Sequence, residues 1–253
     1  MTEFTETSGV FQKQASVSDT QTDAFGRMTP GALARLVGDA TAEHMTSLGL
    51  NYNTLRSHGL LWVLVRTALR VQNLPRQGER VLLCTWAGEE RHWLYPRRTT
   101  ILSSEGEELV SACSQWMLID TDTRSMASPS ELLQSVPVIS FPDEPKLPSM
   151  RVSFPTELTE RAERVVRPRE IDLNGHMNNS HYLDWGEGLL GSEYLRNHSL
   201  RFFWVEYGKE LFEGQNVSLH YKQEKDSLFL RGYTEGDTSF SLKMDYTELR
   251  LLQ

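Results

Sequence analysis

Two hydrophobic periods alternate along the chain, and they appear in the same order in its two halves. Val10 to Val17 reads as a short strand, and Asp23 to Met28 as a turn. Leu33, Leu36, Val37, Ala40 and His44 then recur at helical spacing and predict an amphipathic helix. β-rich runs follow: LLWVLVRTALRV, RVLLCTWAG, YPRRTTILSS and LVSACSQWMLID, with GERV and SEGEE suited to hairpin turns between them. The second half starts again with a strand at Arg164 to Val166 and a turn from Asp172 to Met177. A helical face of Tyr182, Trp185, Leu189 and Leu190 comes next. It leads into LRFFWVEY, NVSLHYKQ, SLFLRGYT and SFSLKMDYTEL, where Phe240, Leu242 and Met244 share one face by strand alternation.

Pro137, Pro142, Pro145, Pro148 and Pro155 interrupt this order and predict an extended linker laid over the surface. The expected organisation is an N-terminal unit over 1–138, a linker over 139–160 and a C-terminal unit over 161–253. The repeat is also visible in letters: Asp23, Gly26 and Met28 return as Asp172, Gly175 and Met177 at one constant offset, and GERVLL resembles GQNVSL. These features predict an α+β fold built from a duplicated unit, one helix followed by an antiparallel sheet that wraps it.

The densest polar cluster is RPREIDLNGHMNNSHYLDW, from Arg167 to Trp185. Asp172, Asn174 and His176 alternate just ahead of the helix, so an extended backbone points all three the same way. Gly175 permits an unusual backbone angle or close approach by a ligand. Asn178 and Asn179 are N-cap residue types, so the helix is expected to start there. Its unpaired N–H groups are then available to bind a substrate carbonyl. The first copy of the turn is a control: it reads DAFGRM, with Phe25 in place of Asn174 and Arg27 in place of His176. The structural letters persist while the chemically useful ones change, which favours a functional role for Asn174 and His176 over helix capping. For Asp172, whose counterpart Asp23 persists, bracing the turn and catalysis are equally open.

The string DLNGHMNNSHYLDW resembles the signature of the acyl-acyl carrier protein thioesterases, and WVEYGKEL is similar to that family's second active-site strand. The first half also fits, in DAFGRMTPGALARLVGDATAEHMTSLGL and GLLWVLVR. The resemblance implies a tandem (double) hotdog, each half an antiparallel sheet wrapped around a central helix. It implies a catalytic set of Asp172, Asn174, His176 and Glu210 in the C-terminal unit, with an acyl-chain pocket and a degenerate site in the N-terminal one. The expected reaction is hydrolysis of fatty acyl-acyl carrier protein thioesters by activated water. His176 or Glu210 would be the general base, the carboxylate helped by partial desolvation beside the acyl tunnel. Several family members have a cysteine directly after the glutamate. Here that position is Leu211, so a cysteine nucleophile is not expected. Trp62, on the strand beneath the first helix, is a candidate for lining an acyl tunnel. Other readings of the same fold are an acyl-coenzyme A thioesterase, an enoyl-thioester hydratase or dehydratase, and a non-catalytic module that binds acyl carriers.

Composition narrows the field further. A formal net charge of −8 argues against nucleic acid. No apolar stretch approaches the roughly 20 residues that span a bilayer, and the N-terminus lacks the look of a secretory or transit segment. The expectation is a cytoplasmic protein without membrane association. Cys84 and Cys113 are expected to be buried reduced thiols. GEGLLG satisfies a dinucleotide pattern, but it follows a helix rather than opening one and reads as a helix end. No metal and no organic cofactor are expected. Arg91, His92, Arg97 and Arg98, and separately Arg161, Arg164, Arg167 and Arg169, are candidate basic surfaces for an acidic acyl carrier protein. A hotdog pair satisfies its own sheet pairing, so monomer and homodimer are both compatible with the sequence.

Overall fold

The computed structural model describes residues 9–127, 131–139 and 148–249. In the first half, β1 (Phe11–Ser16) leads through a turn to α1 (Pro30–Ser47) and α2 (Tyr52–Ser57). β2 (Leu60–Val71), β3 (Arg80–Ala87), β4 (Tyr95–Ser103) and β5 (Glu108–Asp120) follow. The second half runs β6 (Glu160–Val165), α3 (His181–Glu187), α4 (Ser192–Asn197), β7 (His198–Tyr207), β8 (Asn216–Gln223), β9 (Ser227–Thr234) and β10 (Asp237–Glu248).

The ten strands among the described residues form one sheet, in the order β1-β3-β4-β5-β2-β7-β10-β9-β8-β6. Read outward from its middle, each half has the same order, so the duplication seen in the letters is a duplication of topology. The seam is the antiparallel pairing of β2 with β7, where Ala68 opposes Trp204 and Arg66 opposes Glu206. The Arg66 guanidinium bonds the Glu206 carboxylate across this seam at 2.6 Å.

α1 starts where local chemistry directs it. Thr29 caps the helix, its side chain accepting from Ala32 N, and Pro30 occupies the first turn. Leu33, Leu36, Val37, Ala40 and His44 are all buried, as the spacing predicts. α3 is much shorter. Gly188 is its C-cap, so Leu189 and Leu190 lie beyond the helix they were expected to extend. Gly186 lies tight on β10, since a Cβ there would meet Leu242 at 2.4 Å. One core runs under both helices, with Phe203, Phe240, Leu33, Leu69, Leu183 and Leu219 among its fully enclosed side chains. Phe240, Leu242 and Met244 all belong to it.

The expected strands are present, with two differences in how they connect. GERV is not a hairpin turn, because β2 and β3 are not neighbours in the sheet. α2 and α4 carry too few periodic apolar residues to announce themselves. Ile139, at the start of the linker, bonds the Ala87 carbonyl in the first half, and the residues from Met150 onward reach the second. Phe154 packs edge-on against Trp204 and Phe229, and Trp204 Nε1 donates to the Met150 carbonyl at 3.2 Å. Pro142 and Pro145 lie outside the described residues.

Cys84 and Cys113 are buried, and burial raises both thiols, Cys113 to about 11. No helix among the described residues is long and apolar enough to cross a membrane.

Candidate active site

The turn from Asp172 to Met177 is built around the Asp172 carboxylate. Its Oδ1 accepts from Asn174 N at 2.8 Å and from His176 N at 3.4 Å. Asp172 N donates back to the His176 carbonyl at 2.8 Å, and Gly175 N donates to the Asp172 carbonyl. Gly175 has φ +80°, in the left-handed region that glycine enters at low cost. Met177 N then bonds the Leu211 carbonyl at 2.8 Å, which ties the turn to the segment following β7.

That tie brings Glu210 to the turn. Glu210 Oε2 stands 3.6 Å from His176 Nε2, and Glu210 Oε1 accepts from Arg124 Nη2 at 2.7 Å. The Phe212 ring meets the His176 imidazole edge-on at 5.2 Å. Tyr182 is buried within reach of these charges. Burial, with the Asp172 and Glu210 charges adding to it, pushes its phenol far above the ordinary value. Tyr207 packs edge-on against Tyr182, and its hydroxyl donates to the Asn179 carbonyl at 3.1 Å. A half-buried imidazole and a carboxylate beside an open edge form a site able to activate a water molecule.

The first copy of the turn has the same backbone pattern and different chemistry. Asp23 Oδ1 accepts from Phe25 N and Arg27 N, and Met28 N bonds the Pro75 carbonyl. Pro75 therefore matches Leu211, and Leu74 matches Glu210. Arg27, at the place of His176, is buried and engaged. It bonds Asp23 Oδ2 through Nε and Nη2, the Leu195 carbonyl through Nη2 and the His198 carbonyl through Nη1. This half has neither an imidazole nor a carboxylate where the other half has both.

The turn and its bond to the Leu211 carbonyl bring Asp172, His176 and Glu210 together. Asn174 flanks them, exposed, with its backbone bonded to Asp172. Leu173 beside it is 97% exposed, so the turn presents an apolar edge to solvent. Asn178 and Asn179 precede the helix rather than opening it, because α3 begins at His181. Asn178 Oδ1 instead accepts from the Ser180 amide and hydroxyl, an Asx turn that competes with helical pairing. Trp62 lies with Leu55, Leu60, Leu118 and Tyr95 in a separate apolar cluster. Leu211 is enclosed in the main core.

Of the basic candidates, Arg97 is no surface residue. It is 5% exposed, and its guanidinium meets His44 Nδ1 at 2.6 Å inside the first half. Strand alternation places it on the helix-facing side. Arg161 is exposed and donates to the Leu158 and Glu160 carbonyls. Arg164, Arg167 and Arg169 do gather, with Arg35 and His181, along a groove of about 780 Å³ beside α3.

Arg124, Tyr207 and Phe212 escaped the sequence reading, which placed Tyr182 on a helical face but not at the site. Phe212 sits two residues from Glu210, a signal available in principle. Arg124 is separated from Glu210 by the whole linker, and no local pattern joins them.

Residues 8–134 match the model of the acyl-ACP thioesterase N-terminal domain, and residues 155–248 that of the C-terminal domain. Oleoyl-acyl carrier protein thioesterase 1, chloroplastic, of Arabidopsis thaliana is 26% identical over 205 residues, covering 72% of this chain and 55% of the relative. Dodecanoyl-[acyl-carrier-protein] hydrolase of Cinnamomum camphora is 25% identical over 187 residues, covering 68% and 48%. The chain thus spans about half the length of these curated relatives. An acyl-ACP thioesterase from Bacteroides thetaiotaomicron shares the fold with a TM-score of 0.83 at 21% identity, covering 96% of this chain and all of that one. The 12:0-ACP thioesterase from Umbellularia californica gives 0.81 at 18% identity, covering 95% and 98%. The architecture is that of these proteins, a double hotdog.

Proposed function

The chain belongs to the acyl-ACP thioesterase family, and we propose that it hydrolyses fatty acyl thioesters of acyl carrier protein to free fatty acid and the thiol carrier. The observation that carries this reading is the approach of Glu210 Oε2 to His176 Nε2 at 3.6 Å beside an exposed Asn174, an arrangement absent from the first copy.

A water held between His176 and Glu210 loses its proton to one of them as its oxygen bonds the thioester carbonyl carbon. The tetrahedral oxyanion then collapses, the C–S bond breaks, and the sulfur leaves as a thiolate that takes up a proton. The Asn174 side-chain amide is assigned to orienting the water or donating to the oxyanion. Asp172 acts through the turn, by holding the amides of Asn174 and His176. Nothing in this route draws on a metal or an organic cofactor.

The acyl chain is assigned to the first half, beside the cluster of Leu55, Leu60, Trp62 and Leu118. This cluster adjoins the turn that carries Arg124, since Ala127 N bonds the Leu118 carbonyl within it. The groove is lined by Glu163, Glu170 and Asp184 as well as by arginines, and Arg164, Arg167 and Arg169 on it are assigned to steering an acidic carrier protein. The test is thiol release from matched acyl-carrier-protein and acyl-coenzyme A esters. Selective hydrolysis of the carrier-protein ester supports the reading. Preference for the coenzyme A ester reassigns the substrate, and hydration of an enoyl thioester without thiol release reassigns the reaction.

A further inference from the structure

We infer that Arg124 is a positioning residue for Glu210, supplied by the first half of the chain to a site in the second. The inference rests on the proposed role of Glu210 in thioester hydrolysis. Glu210 divides its two oxygens: Oε1 accepts from Arg124 Nη2 at 2.7 Å, and Oε2 faces His176. A glutamate side chain that is one-third exposed has several rotamers open to it. The guanidinium selects one and leaves the second oxygen free for water and the imidazole.

The turn that carries Arg124 is built to hold it. Asp120 Oδ1 accepts from Asp122 N at 3.1 Å, from Thr123 N at 2.8 Å and from Thr123 Oγ1 at 2.9 Å. Those bonds, the Thr123 ones foremost, lower the Asp120 carboxyl below its ordinary value. Arg124 N donates to the Asp120 carbonyl, and Thr121 N donates to the Gly59 carbonyl ahead of β2. Arg124 itself has φ +56°, a conformation that non-glycine residues enter at a cost.

The ion pair is too exposed to account for the fold, with side-chain exposures of 51% and 34%. Pairs of this kind contribute little to stability. Its effect therefore belongs to catalysis, where a displacement of about 1 Å in a reacting group costs up to roughly 100-fold.

The experiment measures hydrolysis of an acyl-acyl carrier protein by wild type, Arg124→Gln, Arg124→Lys, Glu210→Gln and the Arg124→Gln/Glu210→Gln double variant, with a Tm for each. The expected result is a kcat about 10- to 100-fold lower in Arg124→Gln, with KM and Tm near wild type and most of the rate restored in Arg124→Lys. In the Glu210→Gln background, Arg124→Gln should remove nothing further, because the two residues act as one unit. Wild-type kcat in Arg124→Gln, or the same fold-loss in both backgrounds, overturns the inference. If Glu210→Gln alone is inactive in that case, the proposed function still stands. A wild type that hydrolyses no thioester removes both.

Discussion

His176 and Arg27 stand at the same place in two copies of one hydrogen-bonded turn, and only His176 faces a carboxylate across an open edge. Its Nε2 is 3.6 Å from Glu210, while the Arg27 guanidinium is closed onto Asp23 and two backbone carbonyls at the end of α4. Duplication produced two sites of equal backbone. One carries an imidazole beside a carboxylate, the pair to which the proposal assigns the chemistry, and in the other the equivalent position is part of the interface between the halves.

Arg27 is accordingly a stability residue. Its side chain is 6% exposed and that of Asp23 is 16% exposed, so removing the cation leaves a carboxylate and two carbonyls poorly compensated. Arg27→Ala should cost about 3–5 kcal/mol, read as a lower urea midpoint. Arg27→His should create no second activity, because Leu74 stands where Glu210 would be needed.

His44 sets a pH dependence on the acid side. Burial, and then the neighbouring Arg97 charge, lowers its pKa from 6.5 to about 4. The imidazole is neutral in the fold but protonates in the unfolded chain below about pH 6.5, so stability is lost as pH falls from there toward 4. About 2 kcal/mol should disappear over that window, allowing for solvent screening. Urea denaturation at pH 7 and pH 4.5 measures it, and His44→Gln should flatten the difference.

Glu187 acts in the opposite direction. Burial first, then Asp23 and Asp184, raises its pKa from 4.5 to about 7. The folded chain keeps this carboxyl protonated to higher pH than the unfolded chain does, so the residue costs stability progressively as pH rises from 4.5 through 7. Glu187→Gln should therefore stabilise the protein at pH 8 by about 2 kcal/mol and leave it nearly unchanged at pH 4.5. Equal gains at both pH values would contradict this.

Much of the fold was legible in the sequence because its hydrophobic periods are clean. β8 and β9 follow their apolar runs residue for residue, and Leu33 to His44 mark the buried face of α1. What alternation could not supply was partnership, and GERV was misread because a strand's neighbour depends on the whole sheet. The candidate site was legible as far as one segment carries it, in Asp172, Asn174 and His176. The resemblance added Glu210. Arg124 was invisible because it meets Glu210 only after the two halves close on each other. Arg97 was misassigned to the surface because neighbouring strand residues face opposite sides, and charge alone does not say which.

The most direct test of the central claim is the initial rate of thiol release from an acyl-acyl carrier protein by wild type and by His176→Ala. The account predicts a loss on the order of 10²- to 10⁴-fold, with the fold intact by circular dichroism. A His176→Ala variant that retains the wild-type rate would contradict the assignment of chemistry to the second turn.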